Sequence, residues 1–184
     1  MMNTYLESLI KQFNYYKMLG EKAMDQVPEE KLSWQYNENS NSIAIIVNHL
    51  VGNMLSRFTD FLTADGEKPW RNRDTEFEES LSGRTELMAH WHKGWQCLLT
   101  TVEQLTADQL QAIVYIRNDG HTVIEALNRQ LAHYAYHIGQ IVYIAKMVRD
   151  NDWQSLSIPR HKSSNYNTRK FAQEKGKRHF TDDL

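Results

Sequence analysis

The chain has 184 residues and a mass of 21.7 kDa, a size typical of one domain with a short appendage. Its 21 Lys and Arg and 23 Asp and Glu give a formal net charge of -2, which disfavours nonspecific binding to nucleic acid or anionic lipid. The longest apolar runs, 43–47 and 141–144, are far shorter than the ~20 residues that a membrane-spanning helix needs. With a single cysteine and no signal-peptide pattern at its start, the sequence predicts a cytoplasmic protein.

Apolar residues recur every three or four positions in four segments, which predicts four helices. The low content of 8 Gly and 3 Pro is consistent with long uninterrupted helices. The last segment is the clearest, because a capping box of Thr122 and Glu125 precedes an apolar pattern that continues to about Val148. The predicted helices lie before residue 28, over 43–62, from 87 or 88 to 105, and over 122–148.

Two connections between these helices have distinct compositions. Residues 63–80 are charged and contain Gly66 and Pro69, so they predict a long loop, which carries the bulky apolar residue Trp70. Residues 112–120 alternate partly in polarity and end in Asn-Asp-Gly, which predicts a short extended piece and a tight turn without a larger sheet.

The order of these elements predicts an all-α fold, a four-helix bundle over residues 1–150. After Trp153 the chain becomes basic, and residues 151–184 are predicted to form a peripheral arm that packs on the bundle or on a partner subunit.

Two of the eight histidines stand out because His133 and His137 are four residues apart on the predicted fourth helix. They fall inside or at the border of its apolar side, whereas Arg129 and Tyr136 fall on the other side. Neighbouring buried imidazoles need partners, which a divalent ion provides for both. His49 on the second helix is available as a third ligand, and three ligands leave a coordination position open, as in catalytic sites. The alternative is that each imidazole fills the bundle interior and bonds to a carbonyl or hydroxyl.

Other polar residues lie near these histidines in the predicted fold. Asn53 and Arg57 follow His49 at four-residue intervals and therefore share one side of the helix. They are candidates for substrate binding, with an interhelical hydrogen bond and a surface ion pair as the alternative roles. Trp70 and Arg71 on the long loop are further candidates, with solvent exposure as the alternative for the arginine.

His49 together with the segment His-Tyr-Ala-Tyr-His-Ile-Gly-Gln at 133–140 resembles the metal-binding triad of the DinB-like superfamily. The resemblance implies a bundle of up-down-down-up order, a divalent metal ion, nickel or zinc, held by the three histidines, and a homodimer. Gln140 is then a candidate second-sphere partner of the ligands. Four further segments are similar to a subgroup of uncharacterised function: 41–50, 52–62, 66–74 and 155–159.

Among proteins of this superfamily, some transfer low-molecular-weight thiols such as bacillithiol or mycothiol, and others are proposed hydrolases or isomerases. The resemblance therefore implies a metal-dependent enzyme acting on a small molecule, with thiol S-transferase-like or hydrolase-like activity. Arg57, Arg71 and Arg73 would hold an acidic substrate by paired hydrogen bonds.

The alternative is a noncatalytic metal or small-molecule binding protein linked to stress. A nucleic-acid role is disfavoured, because the basic arm contains no recognised DNA-binding motif.

Overall fold

The computed structural model describes residues 4–78, 81 and 83–182, so the predicted loop 63–80 and arm 151–184 both end on residues outside this set. Within it lie five helices and one β-hairpin. In chain order these are α1 Thr4–Asp25, α2 Ile43–Phe58, α3 Gly83–Glu103, β1 Ile113–Ile116, β2 Asp119–Thr122, α4 Val123–Arg149 and α5 Ser163–Phe171. Short 3-10 turns occur at Glu29–Lys31, Asp74–Phe77, Ala107–Gln111 and Asp150–Asp152. None of the described helices combines the length and apolar character needed to cross a bilayer.

The four long helices form a bundle in which α1 packs mainly on α4 and α2 mainly on α3. Each of them contributes large, fully buried side chains to one core, including Phe13, Met54, Trp95 and Tyr134. The helical bundle predicted from the apolar periodicity is therefore confirmed, with α5 as an additional short helix in the arm.

The ends of the helices follow local chemistry. At the start of α4 the Thr122 hydroxyl accepts the Glu125 backbone N–H (3.2 Å) and the Glu125 carboxylate accepts that of Thr122 (2.8 Å), so the predicted capping box is present. Helix α2 ends at Phe58, four residues earlier than the apolar pattern predicts. The chain turns at Asp60, whose φ is 49°, and Phe61 still reaches the core from outside the helix.

The predicted turn at 118–120 lies one residue earlier in the structure. Arg117 and Asn118 both have positive φ (57° and 64°), as a two-residue type I′ hairpin requires, and the following Asp-Gly pair belongs to β2. The Asp65 carboxylate accepts the backbone N–H groups of both turn residues, each at 2.9 Å. The hairpin and the connection after α2 therefore hold each other in place.

The end of the basic arm lies against α1 of the same chain. Lys11 forms an ion pair with Asp182 (2.5 Å), and the Phe180 ring contacts the Tyr15 ring edge-on at 5.4 Å between centroids. Phe171 at the end of α5 is 85% exposed. The division of the chain at residue 150 stays a prediction.

Candidate metal centre

Three histidine side chains converge between α2 and α4. The Nε2 atoms of His49 and His133 are 3.3 Å apart, and one ring nitrogen from each of these residues and His137 lies within 4.8 Å of the others. The i, i+4 spacing on α4 places two of the rings on one face, as the sequence predicts. His49 and His137 are buried, whereas His133 is half-buried.

Hydrogen bonds orient two of the three rings. His49 Nδ1 donates to Glu76 Oε2 and His137 Nδ1 donates to Gln140 Oε1, both at 2.9 Å. With the protons held at Nδ1, the Nε2 lone pairs are free to bind an ion, an arrangement typical of histidine ligands in proteins. Gln140 thus has the contact expected of a second-sphere partner, and Glu76 is a second such residue that the sequence analysis did not identify.

Glu76 is itself tightly held. Arg71 binds its carboxylate with two hydrogen bonds, Nε to Oε1 at 2.7 Å and Nη2 to Oε2 at 2.9 Å. Burial acts to raise the pKa of Glu76, but the hydrogen bonds from His49 and Arg71 outweigh it, so the pKa is lower than usual and the group is ionised. Gly52 makes this approach to α2 possible, because a Cβ there would lie 2.3 Å from Glu76 Oε1.

The imidazoles of α4 are held in the neutral form. Burial and the neighbouring rings of His137 and His49 lower the pKa of His133 to about 3. Burial also lowers the pKa of His137. Neutral imidazole is the form that binds metal ions, so these two residues can serve as ligands at neutral pH.

The donor set fits a divalent ion. Two nitrogens bound to a tetrahedral zinc ion at ~2.0–2.1 Å lie about 3.3–3.4 Å apart. The 3.3 Å between His49 Nε2 and His133 Nε2 matches this, and a ring nitrogen of His137 lies within 4.8 Å of both. Imidazole ligands suit both nickel and zinc. The three-histidine group could therefore hold a metal ion, and its geometry does not specify which.

A pocket of about 200 Å³ opens beside the histidines. Its walls are basic, and the lining residues within the described part of the chain include no acidic side chain. They are His49, Asn53, Arg57, Arg71, Arg73, Arg117, Arg129, Gln130 and His133.

Comparison with protein families identifies the chain. A family model described as a protein of unknown function, DUF1572, matches residues 1–162. The chain belongs to the DUF1572 family. A comparison with curated proteins finds no match.

The fold of this DUF1572 protein is similar to a solved structure. The crystal structure of a DinB-like protein, YjoA from Bacillus subtilis, aligns with a TM-score of 0.50 and 17% identity, covering 83% of this chain and 97% of that chain. At this identity the likeness shows the fold alone, and it confirms the predicted DinB-like fold. Helix α5 lies beyond the residues that the DUF1572 model matches.

The candidate substrate-binding residues have different surroundings in this DUF1572 protein. Asn53 lines the pocket and accepts a hydrogen bond from Tyr134 Oη (2.9 Å), so the interhelical bond considered as an alternative is present. Arg57 also lines it, buried, and binds Glu67 (3.1 Å) and the Gly66 carbonyl. Trp70 is 59% exposed and is not among the lining residues.

Three further lining residues were not selected from the sequence. Arg129 was placed on the far side of its helix, but it precedes His133 by one turn, and that spacing is the signal that places it at the pocket. Gln130 also lines the pocket and is buried. Arg117 is brought to the pocket by the hairpin turn, which no local sequence pattern could place there.

A second, larger cavity lies on the other side of Gln140. This groove has a volume of about 910 Å³ and runs between the segment before α2 and the outer face of α4. Its walls are largely aromatic and include Trp34, Tyr36, Tyr136 and Tyr143. Gln140 lines the groove and also binds His137, so it contacts both the groove and the histidine centre.

Proposed function

We propose that this protein is a divalent-metal-dependent enzyme acting on a small molecule, with thiol S-transferase-like or hydrolase-like activity. The observation that carries the proposal is the convergence of three histidines, two of which, His49 and His133, line an open pocket. Three protein ligands leave a position for water or substrate, whereas structural zinc sites usually have four.

The bound ion, nickel or zinc, would supply Lewis acidity that lowers the pKa of a water or thiol and so provides a nucleophile near neutral pH. The chain contributes the orientation of the ligands. Glu76 keeps the proton of His49 at Nδ1, and Arg71 keeps Glu76 ionised and fixed. Gln140 keeps the proton of His137 at Nδ1 in the same way.

The only cysteine is a poor alternative nucleophile. Cys97 is half-buried on α3, and burial raises the pKa of its thiol. A protonated thiol is a weak nucleophile, so a thiol reaction at this protein requires a thiol from the substrate.

The experiment is a turnover screen of protein loaded with nickel or zinc. Bacillithiol-type thiols are mixed with small electrophiles in one series, and carboxylic and phosphoric esters are offered in another. We expect metal-dependent product in one series, its loss in His49→Ala, and its retention in His92→Ala, a histidine exposed on α3. Ligand binding without product in either series would favour the noncatalytic binding protein instead.

A further inference from the structure

The arginines around the pocket form an inner and an outer group. The inner group is Arg57 and Arg71, whose guanidinium groups are buried and bind the Glu67 carboxylate at 3.1 and 3.2 Å. Arg71 also binds Glu76 with two hydrogen bonds. These two arginines are therefore committed to contacts within the protein.

The outer group, which we call the arginine rim, consists of Arg73, Arg117 and Arg129 and is exposed. Arg117 has one ion pair, to Glu67 at 3.2 Å. The guanidinium of Arg73 lies over the Phe77 ring at 4.9 Å, and neither Arg73 nor Arg129 pairs with a carboxylate among the described residues. Positive charge therefore exceeds negative charge at the rim, where the one paired carboxylate, Glu67, is shared with the inner arginines.

Two buried polar atoms of lining residues have no partner within the described part of the chain. These atoms are Nε of Arg57 and Oε1 of Gln130. Gln130 is 3% exposed. Leaving a buried polar group unpaired is costly, so such atoms indicate a ligand or water in the native site. Either a water molecule or an anionic oxygen satisfies the Arg57 Nε–H.

We propose that the arginine rim binds a carboxylate or phosphate group of the substrate. This inference rests on the proposed function and specifies the chemical class of its substrate, a small organic acid or phosphate ester. Guanidinium groups bind such oxygens through paired, charge-assisted hydrogen bonds. The pocket of about 200 Å³ is lined both by the rim and by His49 and His133, so a small acid bound at the rim would lie beside these histidines.

The test titrates inorganic phosphate and succinate into zinc-loaded protein by calorimetry at low ionic strength. We expect saturable binding of at least one probe that weakens about tenfold or more in Arg129→Gln and in Arg73→Gln, since each loses a charged hydrogen bond. Added salt should weaken it further, because the rim is exposed. Arg160→Gln, on the exposed arm, should bind as the unaltered protein does. The stronger probe identifies the carboxylate or the phosphate as the preferred group.

Two results would overturn the proposal. One is the absence of binding of both probes to zinc-loaded protein, and the other is unchanged binding in the Arg73→Gln, Arg129→Gln double variant. Metal content measured on the same samples separates this inference from the proposed function. Anion binding lost with zinc retained supports the rim, whereas anion binding to a protein that takes up no zinc supports the rim and contradicts the metal enzyme.

Discussion

The histidine centre and the arginine rim are adjacent but are built differently. The histidines stand on two long helices, and Glu76 and Gln140 orient two of their rings. The rim arginines come mostly from connections and a hairpin turn, they are exposed, and two of them lack a described carboxylate partner. A rigid group of ligands suits a fixed metal chemistry, whereas an exposed group of charges suits selection of a substrate. Substitutions in the two regions should therefore have different effects.

The largest effect is expected from removing a ligand. His133→Ala should lower metal affinity by more than about 100-fold, because even loss of a second-sphere partner costs ~10–100-fold. Elemental analysis of purified protein should show loss of stoichiometric metal, with the helical circular dichroism retained. Full occupancy in a folded variant would contradict the assignment, and His92→Ala serves as the control on an exposed histidine.

Glu76→Gln should have an intermediate effect on the same centre. The variant keeps an acceptor for His49 but removes the negative charge that orients the ring, so metal affinity should fall ~10–100-fold. Competition with a chromophoric chelator measures this constant. Glu78→Gln is the matched control, since that side chain is exposed two residues away. Equal affinities in the two variants would show that Glu76 does not support the histidine.

The packing of Glu76 against Gly52 can be tested by its effect on stability, with Gly139 on the fourth helix as a comparison. Gly52→Ala places a methyl group against a carboxylate that His49 and Arg71 hold in place, so the free energy of unfolding should fall by about 1–3 kcal/mol. Gly139→Ala on α4 meets nothing within 4 Å and should instead raise it by about 0.5–1 kcal/mol through helix propensity. Urea unfolding measures both, and a neutral Gly52→Ala would mean that Glu76 moves aside freely.

The stability of the metal-free protein should depend on pH through the histidines. The pKa of His133 is about 3 in the folded chain, so between the unfolded value of ~6.5 and 3 only the unfolded chain takes up this proton. The free energy of unfolding should therefore fall as pH falls through that range. In His133→Gln the slope should be smaller by up to ~1.4 kcal/mol per pH unit. Parallel slopes in the wild-type and His133→Gln proteins would exclude a buried neutral imidazole.

The smallest effect on either region is expected from removing the part of the arm that follows Lys162. A chain ending at Lys162 lacks α5 and the contacts with Lys11 and Tyr15, none of which involves a ligand or rim residue. Metal and anion affinities should stay within about twofold, and loss of the exposed ion pair should cost less than ~1 kcal/mol. A larger loss of metal affinity would show that the arm supports the centre.

We also propose that the protein is a homodimer, and the same truncation locates the contact. Phe171 is 85% exposed, which makes the arm one candidate for contact with a second subunit. Light scattering of the full chain should give twice the chain mass of 21.7 kDa. A monomer at all concentrations would refute the dimer, and a dimer that persists after truncation would place its interface on residues before 163.

Much of the histidine centre could be predicted because it depends on helical periodicity. The spacing of His133 and His137 fixes their common face, and the apolar pattern of α2 places His49 toward the bundle interior. Glu76 could not be predicted in this way, because it reaches His49 from a 3-10 turn within a long connection, and the tertiary packing around Gly52 determines that position. The hairpin turn lies one residue earlier than predicted, and its backbone is bound by Asp65, a contact distant in sequence that local patterns do not show.

The hold of Asp65 on the hairpin concerns only main-chain N–H groups. The chemical identity of the side chain at position 117 is therefore decoupled from the shape of the loop that carries it. A residue that tolerates the left-handed conformation, such as Asn or Gly, can replace Arg117 and leave the hairpin unchanged. If the rim binds an acidic group as proposed, position 117 is an exchangeable site where the preference for one acid over another can be altered without changing the three histidines.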